Sequence, residues 1–171
     1  DGRLNWDEMT NAGVYLGHLD DQIVATSNAG AVAHAYGIKP VADSYGLDEE
    51  GNPYTSLSGQ SGTTIMEEAI AEGKATAVIN SGFIAEPGTG VFLADAESRD
   101  DVATITAEIV ESGTNAILGG GEIHYLPKGT VGRYGEEGIR EDGRNLIQEA
   151  EDMGYTVVYT AEELQALPAD T

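Results

Sequence analysis

The sequence predicts an α/β fold, a mostly parallel sheet flanked by helices. Two patterns carry that expectation. From residue 64 onward, a helix-period segment followed by a short apolar run recurs three times. Apart from Asn80 and Asn115 at their ends, the runs at residues 75–80, 115–118 and 155–159 are continuously apolar or β-branched rather than alternating. Such runs mark strands covered on both faces, as in parallel sheets. The 171 residues, 40% of them hydrophobic and in well-separated runs, are enough for one domain with a core. The whole chain, 1–171, is therefore read as a single α/β segment.

Each element follows in order. Residues 1–25 are mixed. Trp6-Asp7-Glu8-Met9 suggests a helix start with acids in its first turn, and residues 13–18 a short strand or loop. Gln22-Ile23-Val24-Ala25 is apolar and β-prone, so a strand is expected there. Thr26-Ser27-Asn28 offers three favoured helix caps before an Ala-rich helix to Tyr36, stopped by Gly37 with Pro40 beyond. Residues 40–62 form a surface loop or insertion. Its Asp48-Glu49-Glu50-Gly51-Asn52-Pro53 is strong turn chemistry without the spacing of a calcium loop. Residues 64–72 are an amphipathic helix capped by Thr63 or Thr64 and ended by Gly73. The strand at 75–80 follows. A second helix spans 101–110, and its strand at 115–118 runs into Gly119-Gly120-Gly121. Residues 126–143, polar and Gly-rich, make a second surface loop, a lid or an insertion. A third helix spans 144–153 before the strand at 155–159, and a last helix begins at Glu162.

The chemistry gathers around residues 75–99. An apolar strand there breaks into Asn80-Ser81-Gly82 and then Pro87-Gly88-Thr89-Gly90. α/β proteins bind ligands where strands end in such residues. Glu86, Thr89 and Arg99 add a carboxylate, a hydroxyl and a fixed positive charge. An arginine grips a phosphate with two parallel hydrogen bonds. Ser27 stands at a strand-to-helix turn, where its oxygen either caps the helix or faces an anion drawn to the helix N-terminus. The glycine triplet lacks the Gly-Lys-Ser/Thr of a phosphate loop and reads as a tight turn. Histidines 18, 34 and 124 are isolated, which makes a poor zinc cluster. His18 reads as a surface or packing residue, and His124, behind the triplet, as either packing or ligand-facing. The residues alone thus describe an acidic α/β domain with a candidate anion site of Ser27, Thr89 and Arg99.

Composition excludes several classes. Eight Lys and Arg stand against 30 Asp and Glu, a net charge of −22. Nucleic acids and anionic membranes need basic patches, so neither is an expected partner. The acids are spread along the chain, as on a solvated surface, a pattern suited to a saline (halophilic) habitat. No apolar run approaches the roughly 20 residues of a membrane helix. There is no cysteine, hence no disulfide or thiol chemistry. The chain starts at Asp1 without a signal peptide and reads as a processed protein or a piece of one.

Taken together, these stretches resemble the alkaline phosphatase family. Thr26-Ser27-Asn28-Ala29-Gly30-Ala31 through Tyr36-Gly37-Ile38-Lys39 resembles its nucleophile helix, with Ser27 on the nucleophilic serine. Asp48 is in register with an aspartate that often follows that helix. Glu86-Pro87-Gly88-Thr89 is similar to the segment whose threonine binds magnesium, and Ser98-Arg99 to the pair whose arginine holds phosphate. Leu118-Gly119-Gly120-Gly121 matches a structural glycine triplet, and Asp142-Gly143-Arg144-Asn145-Leu146 the opening of the next helix. The similarity runs in order over nearly the whole chain.

The resemblance implies phosphate monoester hydrolysis through a phosphoseryl intermediate, with zinc and magnesium as cofactors. Ser27 would attack and also contact zinc, Arg99 would bind and stabilise the phosphoryl group, and Thr89 with Glu86 would serve magnesium. It further implies an exported enzyme, periplasmic or secreted, and a possible homodimer. Three departures stand out. Thr26 replaces the aspartate that usually precedes the nucleophile and is itself an alternative nucleophile. Proline is missing after Thr89, with the spacing to Arg99 one residue short. The first metal motif, Gly-Asp-Gly, and the later Asp and His zinc ligands have no match. The chain is therefore expected to be the nucleophile-bearing part of a longer enzyme, inactive alone, with the remainder of that enzyme or a companion chain as its partner. The alternative is a non-catalytic acidic α/β domain that binds an anion or partner through Arg99 and the Gly-rich loops.

Overall fold

A computed structural model describes residue 2 and residues 5–168. Its elements are α1 (Ser27–Tyr36), α2 (Ile65–Ala71), β1 (Ala77–Phe83), α3 (Pro87–Gly90), α4 (Val102–Glu111), β2 (Ala116–Gly120), α5 (Leu146–Asp152) and α6 (Ala161–Gln165). Single 3₁₀ turns occupy Asn5–Glu8, where the sequence suggests a helix start, and Glu122–His124.

Caps define most helix starts. Thr64 and Glu67 form a reciprocal capping box on α2, as do Thr160 and Glu163 on α6. Asp101 caps α4 and Asn145 caps α5 through the same kind of side-chain acceptance. At α1 the cap is Thr26, whose hydroxyl accepts from the Ala29 N–H, so Ser27 is the first helical residue and not the cap. Gly37 ends α1 in the left-handed region at φ 69°.

β1 and β2 pair in parallel, with Ala77 opposite Ala116, Val78 opposite Ile117 and Ile79 opposite Leu118. The register then shifts, so that Phe83 lies opposite Gly120. The extra residues of β1 are held by Asn80. Its Oδ1 accepts from the Gly82 N–H at 2.9 Å, and its Nδ2 donates to the Phe83 carbonyl at 3.2 Å. The bulge redirects the chain into α3. The glycine triplet does more than turn the chain. Gly119 and Gly120 lie within β2, and a Cβ at Gly119 would stand 2.9 Å from the Ile84 Cβ. Gly121, at φ 102°, would drive a Cβ to 2.1 Å from the Phe83 ring.

The core lies between this pair of strands and the helices. Val32, Ala35 and Tyr36 of α1, Val78 of β1, Ile84, Val91 and Leu93, and Ile105 and Ile109 of α4 form one buried cluster. Leu146 of α5 packs with Ala107 and Val110 behind α4. Ile79, on the other face of β1, is 67% exposed.

Two expected strands are absent. Residues 22–25 and 155–159 have no ladder partner among the described residues. Ile23 and Val24 are 88% and 76% exposed, so the first run lacks both a pairing strand and a covering layer. Residues 155–159 are held by side chains instead: the Tyr155 hydroxyl donates to the Thr114 carbonyl, and the Tyr134 hydroxyl to the Tyr159 carbonyl. Residues 13–18 also form no strand.

Arg140 is the buried charge of this architecture, 4% exposed. It comes from the 126–143 loop and reaches α4. Its Nη1 donates to Thr106 Oγ1 at 2.8 Å and to the carbonyls of Ala103 and His124 at 3.1 Å, while Asp142 takes the other side of the fork. Removing it withdraws the donor to Thr106 Oγ1 and to the His124 carbonyl. Arg140→Ala is expected to destabilise by about 3 kcal/mol in urea unfolding. Lys128→Ala, which breaks only the exposed Lys128–Glu141 pair, should leave the same midpoint unmoved.

Candidate functional site

The end of β1, the N-terminus of α1 and the loop before α4 converge on Arg99. The bulge at Asn80 turns the chain so that Glu86 precedes α3, whose first residue is Pro87, a favoured opening residue for a helix. Thr89 then folds back on that turn. Its hydroxyl donates to the Ile84 or the Glu86 carbonyl, at 2.5 and 3.1 Å, and accepts from Asn80 Nδ2 at 3.2 Å. The α3–α4 connection carries Arg99 back across this surface. Arg99 Nη1 donates to Ser27 Oγ at 2.9 Å, and its Nη2 pairs with Glu86 Oε2 at 2.7 Å. One guanidinium thus joins residues 72 and 13 positions away in sequence.

Ser27 is exposed at the first turn of α1, where unpaired backbone N–H groups and the helix dipole favour an anion. Asn28 beside it is buried and anchors the turn by donating to the Asp43 carbonyl at 2.9 Å. Thr26 is turned the other way. Its hydroxyl accepts from the N–H groups of Ala29 and Asp43, at 3.4 and 3.3 Å. Asp43 itself takes φ 61°, a left-handed conformation unusual for a residue other than glycine.

The structure therefore brings Ser27, Arg99 and Glu86 together and sets Thr89 beside them on the same turn. Asp48 is engaged elsewhere, accepting from the Glu50 and Asn52 N–H groups of its own turn. His124 stacks on Phe83 at 4.4 Å, and burial, with Arg140 adding to it, holds its pKa below the usual histidine range. His34 packs against Tyr15 at 5.1 Å. Asn80 and Asn28 are the site's supporting residues that the sequence did not single out. The only available signal was an Asn at the end of an apolar run and an Asn inside a cap triplet, and neither spacing names a partner.

The residues present do not by themselves fit a zinc or magnesium ion. Among the described residues no group of three His, Asp or Glu side chains is arranged to hold a metal. The Glu86 carboxylate faces Arg99, and the Thr89 hydroxyl is engaged with backbone carbonyls and Asn80.

A second acidic cluster lies apart from this site. Asp95, Glu67 of α2, and Glu108 and Glu111 of α4 line a hollow of about 290 Å³. Tyr36 donates to Asp95 Oδ1 at 2.7 Å, and the Asp95 N–H donates to Glu108 at 2.9 Å. Burial, reinforced by Glu67 and Glu108 and opposed by the Tyr36 hydrogen bond, raises the Asp95 carboxyl to about 6. Burial likewise raises Glu108.

The sequence pattern of the family described as alkaline phosphatase matches residues 1–171. The chain belongs to the alkaline phosphatase family. The repressible alkaline phosphatase of Saccharomyces cerevisiae (strain ATCC 204508 / S288c) is 30% identical over 144 residues, 81% of this chain and 24% of that protein. The cold-active alkaline phosphatase of a psychrophilic Shewanella sp. superposes with a TM-score of 0.64 at 25% identity, over 84% of this chain and 30% of that one. A variant of the alkaline phosphatase from the Antarctic bacterium TAB5, solved with Mg bound, gives 0.76 at 22% identity, over 94% of this chain and 41% of that one. The fold is alkaline-phosphatase-like, and the chain spans less than half the length of each of these relatives.

The Asp95 cluster generates a test. The folded carboxyl binds its proton more tightly than the unfolded one, whose pKa is about 3.9, so stability falls as pH rises between about 4 and 6. Asp95→Asn keeps an acceptor for Tyr36 and removes this titration. In thermal or urea unfolding the variant should gain on the wild type from about pH 4 to pH 7, by up to about 2 kcal/mol once partial exposure is discounted. A difference independent of pH would refute the raised carboxyl.

Proposed function

We propose that this chain carries the phosphoryl-binding and nucleophilic part of a metal-dependent phosphate monoesterase. The observation that carries the reading is the 2.9 Å hydrogen bond from Arg99 to Ser27 Oγ at the N-terminus of α1. It brings the Ser27 hydroxyl, a fixed cation and a helix N-terminus together at one point on the surface. Membership of the alkaline phosphatase family supports the same assignment.

In this reading Ser27 Oγ attacks phosphorus. The Oγ–P bond forms as the ester P–O bond breaks, the alcohol leaves, and water then displaces the serine to release inorganic phosphate. Arg99 aligns the phosphoryl oxygens and holds their charge in the transition state, and the first turn of α1 contributes N–H groups to the same charge. Thr26, occupied in capping α1 and holding Asp43, is the lesser candidate for the nucleophile. Among the described residues no base touches Ser27 Oγ, whose partners are Arg99 and Asn28. Deprotonation of the serine, and the zinc and magnesium ligands, are therefore assigned to groups outside this set. The magnesium bound by the TAB5 variant supports a divalent ion in the complete site, and Thr89, this chain's candidate to serve it, would first have to release its backbone and Asn80 contacts. Little turnover is expected from the chain alone.

A second reading is a domain that binds an anion through Arg99 without turnover, since among the described residues Ser27 Oγ meets only Arg99 and Asn28. Substitution separates the two. In the intact protein, Ser27→Ala is expected to lower kcat/KM for p-nitrophenyl phosphate by at least about 10³-fold, and Arg99→Ala by about 10²- to 10³-fold. Thr26→Ala should retain most activity and lose mainly the helix cap, about 1 kcal/mol of stability. Hydrolysis unchanged by both Ser27→Ala and Thr26→Ala would leave the binding reading.

A further inference from the structure

Tyr45 lies in the 40–62 loop and is 1% exposed. The segment around it touches each of the three pieces of chain that meet at Ser27 and Arg99. At the start of α1, the Asp43 N–H donates to Thr26 Oγ1, and the Asp43 carbonyl accepts from Asn28 Nδ2. On the connection that carries Arg99, the Ala96 N–H donates to the Tyr45 carbonyl at 2.9 Å. At the turn between β1 and α3, the Tyr45 hydroxyl donates to the Ala85 carbonyl at 3.0 Å, directly before Glu86. The same oxygen fills the space beside Gly90 of α3, where a Cβ would stand 2.0 Å from it. Burial holds this hydroxyl above the usual tyrosine range, so it remains a donor in alkaline solution, where an exposed tyrosine ionises.

We propose that Tyr45 is a positioning residue for the phosphoryl site, setting the β1–α3 turn against the connection that carries Arg99. This rests on the roles of Ser27 and Arg99 proposed above. Tyr45 makes no hydrogen bond to either residue, so it acts through the backbone it holds. Ser27 and Arg99 arrive from different elements, and their 2.9 Å contact is exposed. An exposed hydrogen bond fixes little by itself. The Tyr45 ring belongs to the core cluster with Val32, Val91 and Ile105, its backbone pairs with Ala96, and its hydroxyl holds Ala85. A ring packed at interior density and held on those sides has little freedom to shift. Loss of the hydroxyl withdraws the donor from the Ala85 carbonyl and opens a gap beside Gly90, which frees the turn to move relative to Arg99. A misplacement of about 1 Å can cost on the order of 100-fold in rate.

The test uses the intact protein, with p-nitrophenyl phosphate as substrate, inorganic phosphate as competitive inhibitor and thermal unfolding as the readout of stability. Tyr45→Phe keeps the ring and removes the hydroxyl. It is expected to lower kcat/KM at least about fivefold and to raise the phosphate inhibition constant by a similar factor, with one cooperative unfolding transition retained. Gly90→Ala should act in the same direction, because its methyl meets the Tyr45 oxygen. In the double variant part of the Gly90→Ala loss should return, since that oxygen is gone. A lower Tm in Tyr45→Phe with kcat/KM and the inhibition constant unchanged is the signature of a tyrosine that only stabilises. That result, with Arg99→Ala still weakening phosphate inhibition, would overturn the positioning role and leave the phosphoryl reading standing. Strictly additive losses in the double variant would overturn it equally. Phosphate inhibition insensitive to Arg99→Ala would remove the phosphoryl reading and this proposal with it.

Discussion

The parallel pairing of β1 with β2 is the constraint from which the rest follows. Parallel strands need a long crossover, and here the crossover holds α3, Arg99 and α4. Pairing places Val78 on the core and brings β2 close enough that Gly119 and Gly120 have no room for side chains. The register shift at Asn80 then bends the end of β1 toward α1. Without that bend, Glu86 and Thr89 would continue along the strand rather than turn toward Ser27.

Electrostatics divide the few cations into two kinds of work. With eight basic residues against 30 acids, a carboxylate partner is available almost anywhere. Arg140 is used inside, where burial makes its hydrogen bonds to α4 and Asp142 matter for stability. Arg144 ties α4 to α5 through Glu111 and Glu149. Arg99 is used at the surface, where its pair with the half-exposed Glu86 is weak as a stabiliser and its other partner is Ser27. The acidic excess reaches partly buried positions as well. Asp95 and Glu108 are half-buried near Glu67, and their raised carboxyls record the cost of crowding acids in a low dielectric.

How far the residues could be read depended on the range of the interaction. The helices at 64–72, 101–110 and 144–153 were legible because their caps and stops are local: Thr64, Asp101 and Asn145 bond to N–H groups within three residues. The strands at 22–25 and 155–159 were read from the same kind of apolar run as β1, yet they do not form. A run becomes a strand only when a partner supplies the other half of each hydrogen bond, and composition carries no record of the partner. The site divides in the same way. Ser27, Thr89, Glu86 and Arg99 were legible as chemistry. The roles of Asn80 and Asn28 were not, because each depends on a backbone group whose position the fold supplies.

By itself, the sequence determined the helix starts and stops, the parallel α/β class, the acidic character, and the residue types at the candidate phosphoryl site. These follow from nearest-neighbour geometry, hydrophobic period and charge, all of which act over a few residues or are sums over the chain. The tertiary structure alone decided which of two adjacent hydroxyls faces Arg99, and which carboxylate among 30 accompanies it. Thr26 and Ser27 are equivalent caps on paper. The Asp43 N–H, arriving from 17 residues away, engages Thr26, and Arg99, arriving from 72 residues away, takes Ser27. Orientation at that scale is set by what packs nearby, and contacts of such separation exist only once the chain has folded.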